Sequence, residues 1–171
     1  MKKNLTISTT TLLIVCLMTT FNINAQQRAS PAKVSEATVN GNNITIKYSS
    51  PSKKGRDIFG ALEPYGKVWR TGANEATTIE LSKDATVGGV AVKAGKYALF
   101  TIPGEKEWTV IINADAKQWG AFKYDQSKDI GRFTTSPSTL SDTVESFTID
   151  ANDSGTVALS WDKTKVEFSI K

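Results

Sequence analysis

The sequence predicts an all-β fold, an antiparallel β-sandwich, with a closed or partly open β-barrel as the alternative. Three observations carry this reading. Apolar and polar residues alternate at period two in run after run, which buries one face of a strand and wets the other. Tight-turn residues separate the runs at short, regular spacing, the pattern of antiparallel hairpins. No stretch carries the apolar stripe of an amphipathic helix, and there is no heptad pattern, internal repeat or low-complexity tract.

Taken in order, the first element is an address. Lys2 and Lys3 precede an unbroken apolar run, Leu12 to Met18, and Asn22-Ile23-Asn24-Ala25 offers a small-residue exit. Charge, apolar run and exit in that order predict a secretory signal peptide over residues 1–25, cleaved near Ala25. The run is far shorter than the roughly 20 residues that span a bilayer, so no transmembrane segment is expected. Cys16 lies inside the run, and bulky Val15 before it argues against lipid attachment. Residues 26–33 read as a flexible lead-in and residues 34–171 as a single all-β domain, exported to the periplasm or the cell exterior.

The strands follow. Asn40-Gly41 signals a hairpin, after which Ile44, Ile46 and Tyr48 alternate with Thr45 and Lys47. Ser49 to Gly66 breaks the rhythm with two prolines and three glycines, and such irregular stretches present groups that strands would bury. Ile79 and Leu81 resume the alternation, and Gly88-Gly89 marks a second hairpin. Tyr97 to Ile102 and Trp108 to Ile112 are apolar on both faces, which places them mid-sheet or between layers. Asn113 to Arg132 is a second irregular stretch. Strands near 143–149, 156–161 and 165–170 read as a meander, with turns at Asn152-Asp153-Ser154-Gly155 and Asp162-Lys163-Thr164.

Composition removes whole classes of chemistry. The chain has no histidine, and its single cysteine leaves with residues 1–25. Ser-His-Asp, Cys-His and zinc-hydrolase mechanisms are therefore excluded, and no disulfide forms. No cofactor or metal motif is present. Loss of Lys2 and Lys3 lowers the net charge from +4 to +2, which gives no electrostatic argument for nucleic acid.

The densest polar segment is Val68 to Thr77. Trp69, Arg70, Thr71, Asn74 and Glu75 are the candidate ligand-binding residues, with Tyr65 or Trp119 as a rim. Aromatic rings cover the apolar faces of a sugar while amides and acids take its hydroxyls, so a small polar or glycan ligand is the expected partner. The competing reading is structural, with Trp69 in the core, Arg70 paired to Glu75 or Glu63, and Asn74 holding a turn. An envelope protein partner fits that second reading. Asp57, Glu63, Glu75, Asp115 and Asp125 are the acids from which a histidine-free glycosidase would draw a carboxylate pair. Lys53, Lys54 and Arg56 form a basic cluster suited to a phosphate or carboxylate, or simply to a solvated loop.

Tyr48 to Arg56, Ile58-Phe59-Gly60, Pro64-Tyr65-Gly66, Val68 to Thr77, Ala94 to Gly104, Glu107 to Ile111 and Trp119 to Phe122 together carry a resemblance. Over about residues 32–170 the chain resembles the domain-of-unknown-function family 2911, secreted proteins common in the Bacteroidetes. The resemblance implies an exported Bacteroidetes protein. It implies no reaction and no catalytic residues.

Overall fold

The computed structural model describes residues 28–171. The signal peptide expected at residues 1–25 lies outside the described residues, as do Gln26 and Gln27. Ten strands account for most of the rest, joined by loops and one 3-10 turn, Gln126–Lys128.

Six strands form one antiparallel sheet: β1 (Ala32–Val39), β2 (Asn42–Ser49), β3 (Thr78–Leu81), β6 (Gly95–Ile102), β7 (Trp108–Asn113) and β8 (Asp129–Thr135). Their spatial order is β1-β2-β3-β6-β7-β8. β1 and β8 stand at opposite edges, so the sheet is open and the barrel alternative falls away. β1 turns into β2 at Asn40-Gly41, both with positive φ (51° and 71°), the backbone that a two-residue hairpin requires. β1 opens inside the expected lead-in, with Ala32 and Lys33 already paired to Ser49 and Tyr48.

A second layer crosses the inner face. β9 (Ser138–Ala151) and β10 (Thr156–Ser169) form a long hairpin. The short hairpin of β4 (Ala85–Val87) and β5 (Val90–Val92) joins it where Val87 bridges Ile170. On leaving β2 the chain crosses between layers: Phe147 N donates to Pro51 O (2.9 Å) and Lys53 N to Glu145 O (2.7 Å). The sequence places a turn at Asp162-Lys163-Thr164; the structure places a bulge there instead. β10 runs on through it with register shifts on either side of Asp162, whose φ is 56°. A bulge and a turn ask for the same residue types, so the meander of three strands becomes one hairpin with a bent arm.

Between the layers lies the main core. Ile44, Ile46, Leu99, Val110 and Ile112 of the large sheet meet Ile149, Leu159, Val166 and Phe168 of the hairpin. At one end it becomes aromatic: Phe59 packs edge-on against Trp108 (centroids 4.7 Å apart), and Trp69 stacks on Trp161 (6.0 Å, interplanar 17°). The outer face of β6 and β7 is buried as well. Phe100, Ala98 and Ile111 lie beneath Ala76, Ala121 and Tyr124. The irregular segments therefore act as a partial third layer, which explains why both strands are apolar on both faces.

Candidate functional site: two clefts beside the 68–77 segment

The seven sequence-predicted residues do not form one cluster. Trp69 is 3% exposed, its ring enclosed by Phe59, Trp108, Phe147 and Trp161, and its indole N–H donates to Gly72 O at 3.1 Å. A ring enclosed in this way offers no face to a sugar, so its role as a stacking floor is corrected to a core role. Thr71 is wholly buried, its hydroxyl 3.1 Å from that of Thr101 and its carbonyl accepting from Thr77 Oγ1 at 2.6 Å. Asn74 (φ 59°) holds the turn by donating to Ser30 O and Ser49 Oγ at 3.2 and 3.1 Å. Tyr65 lies in a separate small cleft with Phe59 and Trp108.

Glu75 and Trp119 do come together, on a cleft of about 550 Å³ over the outer face of β1, β2 and β3. Trp119 is 59% exposed, although it sits in a rigidly held segment. Asn113, buried at the end of β7, donates to Asp125 O (3.0 Å) and Asp129 Oδ1 (2.8 Å) across the loop. Gln118 Nε2 donates to Asp115 O (2.8 Å), and Lys128 pairs with Asp115 at 3.0 Å. Tyr124 donates to Asp129 (2.7 Å) and accepts from Arg132; burial, reinforced by the Asp129 carboxylate, pushes its phenol up to about 12. Glu75 pairs with Arg28 at 2.6 Å, which holds its carboxyl below the usual range. Lys33, Lys47, Lys96 and Lys117 also line this cleft.

Arg70 lines a second cleft, of about 290 Å³, together with Ser52, Lys54, Arg56 and Glu63. Gly72 and Trp161 line it as well. Burial pushes the Glu63 carboxyl up to about 7, against the pull of Arg70, Arg56 and the Trp69 indole N–H. Arg56 is fixed by donating to Ser52 O and Lys53 O.

Two buried side-chain polar atoms lack a partner among the described residues, Arg70 Nε and Gln118 Oε1. Each belongs to a residue that lines one of the two clefts. Buried polar atoms are satisfied as a rule, so an orphan beside a cavity is a place for a ligand atom. Gln118 and Glu63 were not among the sequence-predicted binding residues. Local pattern carries no signal for Gln118, because its position depends on pairing with a segment distant in the chain. The five acids named from sequence are not gathered in one cleft. Glu63 and Glu75 line different ones, Asp115 pairs with Lys128, and Asp125 caps Ser127. Among the described residues no group of acids is placed to hold a metal ion.

No curated protein and no solved structure matches the chain. The family model described as "Protein of unknown function (DUF2911)" matches residues 30–170, nearly all of the described chain. The chain belongs to that DUF2911 family.

Proposed function

We propose that the protein is an exported binding module, and that the Trp119 cleft takes a glycan carrying carboxylates. The carrying observation is an indole held 59% exposed on the wall of a concave cleft whose exposed lining is mostly apolar, with lysines and Glu75 around it. An exposed ring at such a place supplies a flat apolar surface of the kind a pyranose covers. Gln118, a lining residue, keeps a buried Oε1 with no donor among the described residues. Four lysines face the cleft against one carboxylate, Glu75, which Arg28 already occupies. That imbalance favours an acidic sugar over a neutral one. The leader read at residues 1–25 supports a place of work outside the cytoplasm.

Titration calorimetry with oligogalacturonate, and with a neutral maltooligosaccharide of equal length, tests this reading. The acidic ligand binds, it binds more weakly as salt rises, and Trp119→Ala weakens it by about tenfold or more, about 1.4 kcal/mol. No binding of either ligand, or affinity unchanged in Trp119→Ala, removes the assignment.

An envelope protein partner is the second reading, and one observation favours it. Phe122, 85% exposed, follows the exposed Trp119 by three residues in the same segment, so two large rings of that segment meet solvent. Under that reading Phe122→Ser abolishes capture of the partner. Under the glycan reading it leaves oligogalacturonate affinity unchanged.

A further inference from the structure

The second cleft uses none of the residues on which the glycan reading rests. Its wall holds three cations, Lys54, Arg56 and Arg70, around one carboxyl, Glu63. Among the described residues the Arg70 guanidinium donates no hydrogen bond, and its buried Nε has no partner. Arg70 and Glu63 are close enough to influence one another, yet no ion pair between them is among those that the described residues form. Lys53, the remaining cation of the 53–56 cluster, is already engaged with Asp162 at 2.9 Å and with Arg56 O at 2.7 Å. The basic segment read from the sequence is thus divided. Lys53 fastens the loop to the bulge of β10, while Lys54 and Arg56 have no carboxylate partner among the described residues, Arg56 spending Nε and one Nη2 hydrogen on backbone carbonyls.

Two arginines on one open cleft suit a small oxyanion: Arg70 has its parallel guanidinium donors unspent among the described residues, and Arg56 adds the positive charge and the Nη hydrogens that its two backbone bonds leave. We infer that the Arg56–Glu63–Arg70 cleft is a small-oxyanion site of phosphate size, and that Glu63 governs it by its protonation. With Glu63 protonated the cleft is purely cationic, and the carboxyl O–H becomes one more donor. With Glu63 ionised, the carboxylate occupies the positive field and repels the ligand. The charged groups facing Glu63 are Arg70 and Arg56, and Lys54 lines the same cleft. Because Glu63 titrates near 7, occupancy falls between pH 6 and pH 8.

Sulfate is the probe, since its own charge is constant over that range. Trp161 lines the cleft, and its indole N–H, which donates to Glu145 O at 3.2 Å, reports occupancy through its resonance. In the wild-type protein at pH 6, millimolar sulfate moves that resonance saturably, and the dissociation constant rises about fivefold or more by pH 8. Glu63→Gln binds at both pH values with the same affinity. Arg70→Gln, which removes no hydrogen bond made among the described residues, stays folded and loses the shift. The inference is overturned if sulfate produces no saturable shift beyond that of chloride at equal ionic strength. It is equally overturned if Arg70→Gln binds as wild type does, or if the pH dependence persists in Glu63→Gln. Oligogalacturonate binding at Trp119 is unaffected by either substitution, so the two sites fail independently.

Discussion

Glu75 and Trp119 face each other across an antiparallel bridge. Ala76 N donates to Gln118 O and Gly120 N donates to Asn74 O, both at 3.0 Å. This contact joins the 68–77 segment to the 113–128 loop. It delivers an acid and an indole to one cleft without any contact between strands. Backbone, not side chain, holds the pair.

Trp119→Ala is therefore expected to leave the fold intact. The indole contributes little burial, and the loop is held by Asn113, Gln118 and the bridge itself. Urea denaturation checks this, with an expected change within about 0.5 kcal/mol. A loss well above about 1 kcal/mol would make Trp119 a structural residue.

Asn74 behaves differently. Its side chain ties the turn to Ser30 and Ser49, and its backbone is left-handed. Asn74→Ala loses the two hydrogen bonds and strains the backbone, at a cost of about 1–3 kcal/mol. Asn74→Gly loses the hydrogen bonds but tolerates the conformation, so it costs less than alanine. Equal unfolding midpoints for the two variants would show that the conformation contributes nothing.

The half-buried Glu63 carboxyl gives stability a pH dependence. Its folded-state value of about 7 lies above the ordinary 4.5, so the folded protein binds a proton more tightly than the unfolded chain. Stability from this group is full below about pH 4.5 and is lost as pH rises through 7. Glu63→Gln is expected to match wild type at pH 4. At pH 8 it is expected to exceed wild type by about 1 kcal/mol, after allowance for solvent screening. Thermal unfolding at the two pH values checks both halves, and an equal difference at each contradicts the assignment.

Gly155 closes the β9–β10 loop with φ of 85°, and a Cβ there would lie 2.2 Å from the carbonyl oxygen of Ile170. That oxygen is backbone and cannot swing aside. Gly155→Ala is expected to cost about 2–4 kcal/mol by denaturant unfolding. Gly55→Ala, at a similar φ but with open space around it, is expected to cost only about 1 kcal/mol.

Strand alternation made most of the architecture readable in advance. β2, β3 and the first half of β10 show it directly, and the double-faced runs of β6 and β7 announced a covering layer. β8 escaped because an edge strand carrying Asp129, Gly131 and Arg132 has weak alternation. The Asp162 bulge escaped because its residues also make turns. In the candidate site, Trp69 and Asn74 illustrate the difficulty. The same segment supplies a core ring, a turn anchor and one wall of each cleft, and only long-range pairing assigns which residue does which. The sequence marks Glu63 only as one acid among several, since its burial depends on packing that no local pattern encodes.

The four tryptophans offer the most direct test of the central claim. Trp69, Trp108 and Trp161 are buried, and only Trp119 is exposed. In a ¹⁵N–¹H correlation spectrum, added oligogalacturonate is expected to shift the Trp119 indole resonance saturably and leave the other three in place. No movement of Trp119 at millimolar ligand, or movement confined to the buried three, would contradict the assignment of the cleft.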